Sequence, residues 1–223
     1  KIISLEDPVE YHFEWIVQSD VNNKMSFEDG LKACLRHDPD IIMLWEIRTK
    51  NSAEIAMQAS ITGHLMLSTI HTNSAIDTIF RLKNFWIADY LINSSINLII
   101  AQRLTKTLCK HCIQEKEFSE SDFNFIKKID PKIWVKINEM KNWFISKWCE
   151  ECGFTWIFWR TMISEILEID DDVRNFLSDF EKKWKSFSDL KKFLKEEKKF
   201  LTMQEIWIWK VLKWEVKFDD ILW

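Results

Sequence analysis

Over the first hundred residues, short apolar runs alternate with amphipathic stretches. The runs Ile2–Leu5, Ile16–Val21, Ile41–Leu44 and Leu65–Thr69 are brief and rich in Ile, Leu and Val, which predicts strands. Ser26-x-x-Asp29 resembles a capping box and opens a predicted helix running to about Arg36, where Asp38-Pro39 stops it. A second helix is expected from about Ser52 to Ile61, ending at Thr62-Gly63, where Gly suits a C-terminal cap. From about Asp77 to Arg103 the spacing is helical throughout. Strands separated by helices predict a parallel or mixed sheet covered by helices, an α/β class. The texture then changes. Cys109–Cys152 is a segment bounded by two cysteine pairs, and the charged tail from Asp170 carries Val173, Phe176, Leu177 and Phe180 at helical spacing. That tail reads as helices packed on one core with solvated charged faces.

At 223 residues the chain is long enough for one substantial domain or two small ones. A formal charge of -4, from 31 Lys+Arg against 35 Asp+Glu, lacks the global basic footprint of nucleic-acid binding, so no nucleic-acid partner is expected. The longest apolar runs, such as Ile41–Trp45 and Leu98–Ala101, fall far short of the roughly 20 residues that span a bilayer. The opening Lys-Ile-Ile-Ser-Leu-Glu-Asp-Pro has no basic n-region, long apolar h-region or Met. It is expected to be a cut into a longer protein rather than a signal peptide or native N-terminus.

Cysteines stand as Cys34 alone and as the pairs Cys109-Lys-His-Cys112 and Cys149-Glu-Glu-Cys152, separated by 36 residues. Without secretory features this favours a reducing cytoplasm and metal over disulfides. Each pair can grip one tetrahedral ion from a turn, and four thiolates close the shell, so a structural Zn2+ is expected. Redox thiols and unligated core cysteines are the competing readings, and His111 is a candidate substitute ligand.

Other chemistry gathers at predicted strand ends. Leu5-Glu6-Asp7-Pro8-Val9-Glu10-Tyr11 places three carboxylates in five residues after the first strand. Asp38-Pro39-Asp40-Ile41-Ile42-Met43-Leu44-Trp45-Glu46-Ile47-Arg48 delivers Glu46 and Arg48 at the end of an apolar strand. In open α/β sheets ligands bind at that edge, and a carboxylate there can hold a nucleotide's Mg2+ or orient water. Thr62-Gly63-His64-Leu65-Met66-Leu67-Ser68-Thr69-Ile70-His71-Thr72-Asn73 clusters His71 with Thr69, Thr72 and Asn73 in the same place. Each segment alone is equally a buried strand with a solvated polar end.

Taken in order, these segments resemble the secretion ATPase family of type IV pilus assembly and type II secretion. They match its aspartate box (Glu6 to Glu10), its Walker B segment (Asp38 to Arg48) and its histidine box (Thr62 to Asn73). Ala101-Gln102-Arg103-Leu104, the four cysteines, Thr155 to Glu165 and a weaker similarity around Thr202-Met203 extend the match over almost the whole chain. The cysteine insert is typical of the assembly and secretion branches rather than of pilus retraction. The resemblance implies a RecA-like P-loop NTPase core, truncated at its N-terminus, with a structural zinc insert and a helical C-terminal region. It implies segments 1–104 (core), 105–155 (four-Cys insert) and 156–223 (helical region). Glu46 would work at the Mg2+ and attacking-water site, and Glu10, with Glu6 second, would activate that water. His71 would sense the γ-phosphate of ATP, with Asp7, Arg48 and Arg103 as further nucleotide-site groups. The parent would be a cytoplasmic homo-oligomer, a hexameric ring at the inner face of the cytoplasmic membrane, driving pilin-like subunits through an inner-membrane platform protein. No Gly-x-x-x-x-Gly-Lys-Ser/Thr occurs in the chain. By itself it is therefore expected to be inactive, and the alternative reading is a non-catalytic, zinc-stabilised interaction module.

Departures from the family pattern concentrate in one residue type. Trp15, Trp45, Trp86, Trp156, Trp159, Trp207 and Trp214 stand where the family carries Gly. At typical usage of roughly 7% the chain should hold about 16 Gly; it holds three, beside thirteen Trp. A source that reads UGA as Gly, translated with a table that reads UGA as Trp, would produce this composition. Thr49, Ser74 and Met162 depart from the family pattern in the ordinary way.

Overall fold

The computed structural model of the chain describes residues 1–22, 24–131, 133, 135, 142–179 and 186–218. The described residues within 1–99 and 167–197 form one compact unit, and those within 100–166 and 198–218 form a second.

The first unit is built on a sheet of four parallel strands, β1 (Ile2–Glu6), β2 (Ile16–Asp20), β3 (Ile41–Leu44) and β4 (Leu65–Ser68), in the order β2-β1-β3-β4. All four lie within a residue of their predicted bounds, because each is a short run rich in β-branched or aliphatic residues between polar turns. The register pairs Leu5 with Leu44 and Leu44 with Ser68, so the three strands end together. Helix α1 (Phe27–Cys34) starts at Ser26, whose hydroxyl accepts the Asp29 N–H. Helix α2 (Lys50–Ile61) begins two residues before its predicted start, because Thr49 and Ser52 cap one another reciprocally. Ile3, Leu5, Leu31, Ile42 and Leu44 form the core between sheet and helices.

The predicted helix from Asp77 to Arg103 is instead three elements: α3 (Ala75–Asn84), α4 (Asp89–Ser95) and strand β5 (Leu98–Leu108). Over β5, burial changes with a period of two along much of the strand, and that alternation overrides the helical spacing. Helices α6 (Asp171–Ser178) and α7 (Phe187–Glu196) join the first unit, with Phe176 stacked on Phe193 at 4.5 Å between ring centroids. The expected core position Phe180 lies outside the described residues.

The second unit contains the whole cysteine insert. Strands β6 (Ile113–Glu117) and β7 (Asn142–Ser146) pair antiparallel, followed in the core by α5 (Glu120–Ile129) and α8 (Met203–Leu212). The tail segment from residue 156, expected to be helical, opens instead with strand β8 (Ile157–Glu168), which pairs with β5. Phe118, Ile126, Trp143, Ile163, Trp207 and Phe218 are buried together in this unit.

Ile42, with no exposed surface at the centre of the sheet, should be costly to truncate. Ile42→Ala is expected to lower unfolding free energy by about 2–5 kcal/mol in urea titrations. Ile61→Ala, at a position 46% exposed at the end of α2, should change it by no more than about 0.5 kcal/mol. Equal losses for the two would contradict the core described here.

Candidate functional site

Parallel strands that end in register put their following residues at one edge. Glu6 closes β1, Glu46 follows β3 by two residues, and Thr69 and His71 follow β4. The ladder continues past the strands: Trp45 N–H donates to Leu5 O at 2.9 Å, Ile47 N–H to Thr69 O at 2.9 Å, and Thr69 Oγ1 to Trp45 O at 2.5 Å. These bonds fix the main chain on both sides of Glu46.

The Glu46 side chain is only 8% exposed and both its oxygens are engaged. Oε2 accepts from Arg48 Nε at 2.6 Å, and Oε1 lies 3.2 Å from His71 Nε2. Arg48 Nη1 also stands 3.8 Å from Asp7 Oδ2. The hydrogen bond and charge of Glu46, and to a smaller degree the charge of Asp7, hold the Arg48 guanidinium above its usual pKa. Asp7, Arg48, Glu46 and His71 thus form one continuous chain of charged and ionisable groups. His71 is 86% exposed and faces the buried carboxylate from the open side.

The remaining residues singled out in the sequence fall in different places. Glu6 is buried beside the sheet and accepts from Ser4 Oγ at 2.6 Å and Gln18 Nε2 at 2.9 Å. Glu10 is exposed on the loop between β1 and β2. Arg103 lies on β5 in the second unit. Ser4 and Gln18 were not legible as site residues, since a Ser and a Gln within short strands carry no spacing signature.

In the second unit, the Sγ atoms of Cys109, Cys112, Cys149 and Cys152 all lie within 4.8 Å of one another. Sulfurs at about 2.3 Å from a tetrahedral Zn2+ would be about 3.8 Å apart. Cys109 to Cys149 is 3.9 Å and Cys149 to Cys152 is 3.8 Å, so this donor set fits one such ion. His111 is not part of the cluster found among the described residues. Pairing of β6 with β7 brings the two cysteine pairs together, and within the second pair Cys149 caps a 3-10 turn, Glu150–Cys152, closed by Gly153 in the left-handed region. Burial and the neighbouring thiols push Cys112 up to about 12. Burial also raises Cys152, but the backbone N–H groups of Cys149, Trp156 and Thr155, with the Cys149 side chain, outweigh it and bring that thiol down to about 6.

Known proteins resemble this chain over most of its length. Residues 1–208 match the family model described as type II/IV secretion system protein. The type II secretion system protein E of Klebsiella pneumoniae is 43% identical over 177 residues, 78% of this chain and 33% of that protein. The type II secretion system ATPase E of Vibrio cholerae is 40% identical over 178 residues, 79% of this chain and 34% of its own length. The chain thus spans about a third of the length of these curated relatives. Among solved structures, the pilus retraction motor PilT with bound ADP superposes with a TM-score of 0.67 at 23% identity, covering 99% of this chain and 51% of that one. The Legionella pneumophila ATPase DotB superposes with a TM-score of 0.65 at 18% identity, covering 98% and 49%. At these identities the two structures speak for the fold alone, an α/β core, while the family match rests on residues 1–208. The chain belongs to the type II/IV secretion system protein family.

Proposed function

We propose that this chain supplies the hydrolytic half of an ATP-driven motor subunit acting in type II secretion or type IV pilus assembly. The observation that carries the reading is Glu46: a buried carboxylate at the C-terminal edge of a parallel sheet, gripped by one exposed Arg and one exposed His. A buried carboxylate is costly unless paired, and its retention at a ligand-binding edge fits a catalytic role. The names of relatives, an ATPase in Vibrio cholerae and an ADP-bound motor, support the same activity.

In this reading Glu46 orients the attacking water and its metal-bound surroundings. Mg2+, when bound, neutralises charge on the phosphates. His71, exposed on the open side, exchanges Glu46 Oε1 for a terminal phosphate, so that the presence of that phosphate frees the carboxylate. Glu10, on the loop above β1, is the candidate to take the water's proton, with the buried Glu6 second. Arg48 stays with Glu46 and Asp7 as a fixed counter-charge, and Arg103 is a further candidate for the nucleotide's negative charge. The parent assembles as a homo-oligomeric ring, a hexamer, at the cytoplasmic face of the inner membrane and works on an inner-membrane platform protein. The four cysteines hold a structural Zn2+ that stabilises the insert. A second reading, a zinc-stabilised module without turnover, is favoured for the chain in isolation by the lack of a Gly-x-x-x-x-Gly-Lys-Ser/Thr motif in its sequence.

In the full-length parent, Glu46→Gln should lower ATP turnover by about 100-fold or more while ATP binding stays near normal, because the amide keeps the shape and removes the charge. Glu10→Gln should also slow hydrolysis strongly. Steady-state assays showing normal rates for both variants would defeat the assignment.

Purified chain should carry one zinc per molecule by metal analysis. Cys109→Ser or Cys152→Ser should release it, and a chelator should lower the melting temperature, since structural zinc contributes folding free energy. Thiols must lose protons to bind, so apparent zinc affinity should fall as pH is lowered. Freshly reduced protein free of zinc would refute the metal assignment.

A further inference from the structure

Three helices of the chain end with the same pair of hydrogen bonds. After α2, Gly63 N–H donates to Ser60 O at 3.2 Å and His64 N–H to Ala59 O at 3.3 Å. After α3, Trp86 N–H donates to Lys83 O at 2.8 Å and Ile87 N–H to Leu82 O at 3.4 Å. After α8, Trp214 N–H donates to Val211 O at 2.9 Å and Glu215 N–H to Lys210 O at 3.0 Å. This is the Schellman closure, whose hinge residue sits in the left-handed region and is usually Gly because a Cβ is penalised there. The hinge is Gly63 at φ 104 in the first case, but Trp86 at φ 58 and Trp214 at φ 62 in the others.

A bulky side chain in that region is a genuine outlier, and nothing at these positions offsets it well. Trp86 is 84% exposed, and Trp214, although its ring lies 4.4 Å from Phe144, remains half exposed. A third Trp, Trp156, is at φ 58 where the chain leaves the second cysteine pair. Three of the six non-Gly residues with positive φ among those described are therefore Trp. Buried tryptophans fare no better: the indole N–H groups of Trp143 and Trp207 are enclosed with no hydrogen-bond partner among the described residues, a state that costs free energy.

We infer that positions 86, 156 and 214, and with them most of the thirteen written as Trp, are glycine in the protein as its source makes it, through UGA codons that specify Gly. The same change matters at the site. Trp45 immediately precedes Glu46, and its bonds to Leu5 and Thr69 are made by main-chain N–H and C=O, which glycine would keep while clearing the indole from the ladder's end. Two measurements test this. Peptides of the protein purified from its source should read Gly at 86, 156 and 214 by mass spectrometry, with UGA at those codons in the genome. In the Trp-containing chain made recombinantly, Trp86→Gly with Trp214→Gly should raise the melting temperature. Trp in the native peptides, UGG codons, or a lowered melting temperature would overturn the inference.

A different set of bonds carries a second proposal, which rests on the hydrolytic reading above. Gln18 on β2 uses its whole side-chain amide: Nε2 donates to Glu6 Oε1 at 2.9 Å and to Tyr11 O at 2.9 Å, and Oε1 accepts from Phe13 N–H at 2.7 Å. It joins the loop that carries Asp7 and Glu10 to the buried Glu6. The geometry points to Gln18 as a positioning residue for the water-activating carboxylates. In the full-length parent, Gln18→Leu, which removes the amide without adding charge, and Gln18→Glu, which sets a second carboxylate against Glu6, should each lower kcat about 10- to 100-fold. KM for ATP and zinc content should stay near wild type in both, and the melting temperature should fall more for Gln18→Glu than for Gln18→Leu, because only Glu adds a like charge beside the buried Glu6. Normal kcat in either variant, or a raised KM at unchanged kcat, would overturn the role provided Glu46→Gln is inactive in the same assay. An active Glu46→Gln would instead defeat the hydrolytic reading itself.

Discussion

The parallel register of β1, β3 and β4 is the constraint on which the site depends. Ile42 and Leu44 are fully buried on one face of β3, so a one-residue slip would turn both outward. Hydrophobic burial thus fixes the register, and the register alone decides that Glu6, Glu46 and Thr69 leave the sheet side by side. Main-chain bonds then carry the order one step past the strands, from Trp45 to Leu5 and from Ile47 to Thr69. A polar site is positioned here by apolar packing several residues away.

That arrangement also explains how Glu46 is tolerated. An enclosed carboxylate without partners would be strongly destabilising, whereas one paired at the boundary of the core is not. Arg48 is more than half exposed, so its guanidinium keeps water while bonding the buried oxygen, and most of the desolvation falls on one group only. The cysteine cluster meets a comparable conflict differently. Burial and the neighbouring sulfurs push one thiol towards the protonated form, while backbone N–H groups draw another towards the thiolate, and the four sulfurs together fit a single tetrahedral cation. The two sites share a logic of charge compensation, met by a neighbouring side chain at Glu46 and left to a donor set fit for a cation at the cysteines.

The four strands of the first sheet were legible because burial on a short strand imposes a composition that survives in the sequence. The cysteine cluster was legible because two Cys-x-x-Cys turns are local geometry. Glu46, Arg48 and His71 could be listed from strand ends, but their contact could not: it needs the register, which links residues 25 apart through backbone pairing. Gln18 and Ser4 were missed altogether, since their role lies in whom they bond and leaves no mark in spacing. Glu10 shows the reverse, a residue prominent in the sequence whose surroundings on an exposed loop give no geometric reason to prefer it over Glu6.

The misreading of residues 77–103 as one helical stretch has a physical cause in the same residue type that distorts the composition. Helix ends are read from Gly just past the last helical turn. Such a signal stands at Gly63, and the end of α2 was found there. After α3 the equivalent position is Trp86, an apolar residue that extends a helical pattern, and the reading ran on through α4 into β5. The backbone nevertheless closes there with the same two hydrogen bonds as at Gly63. Closure is dictated by Leu82, Ile87 and Leu91 packing into one cluster, which requires the chain to turn back whatever occupies the hinge. Tertiary packing thus demands a left-handed residue at a point where the written side chain disfavours it. That conflict, repeated after α8, locates the anomaly in the identity of the residue and leaves the fold intact.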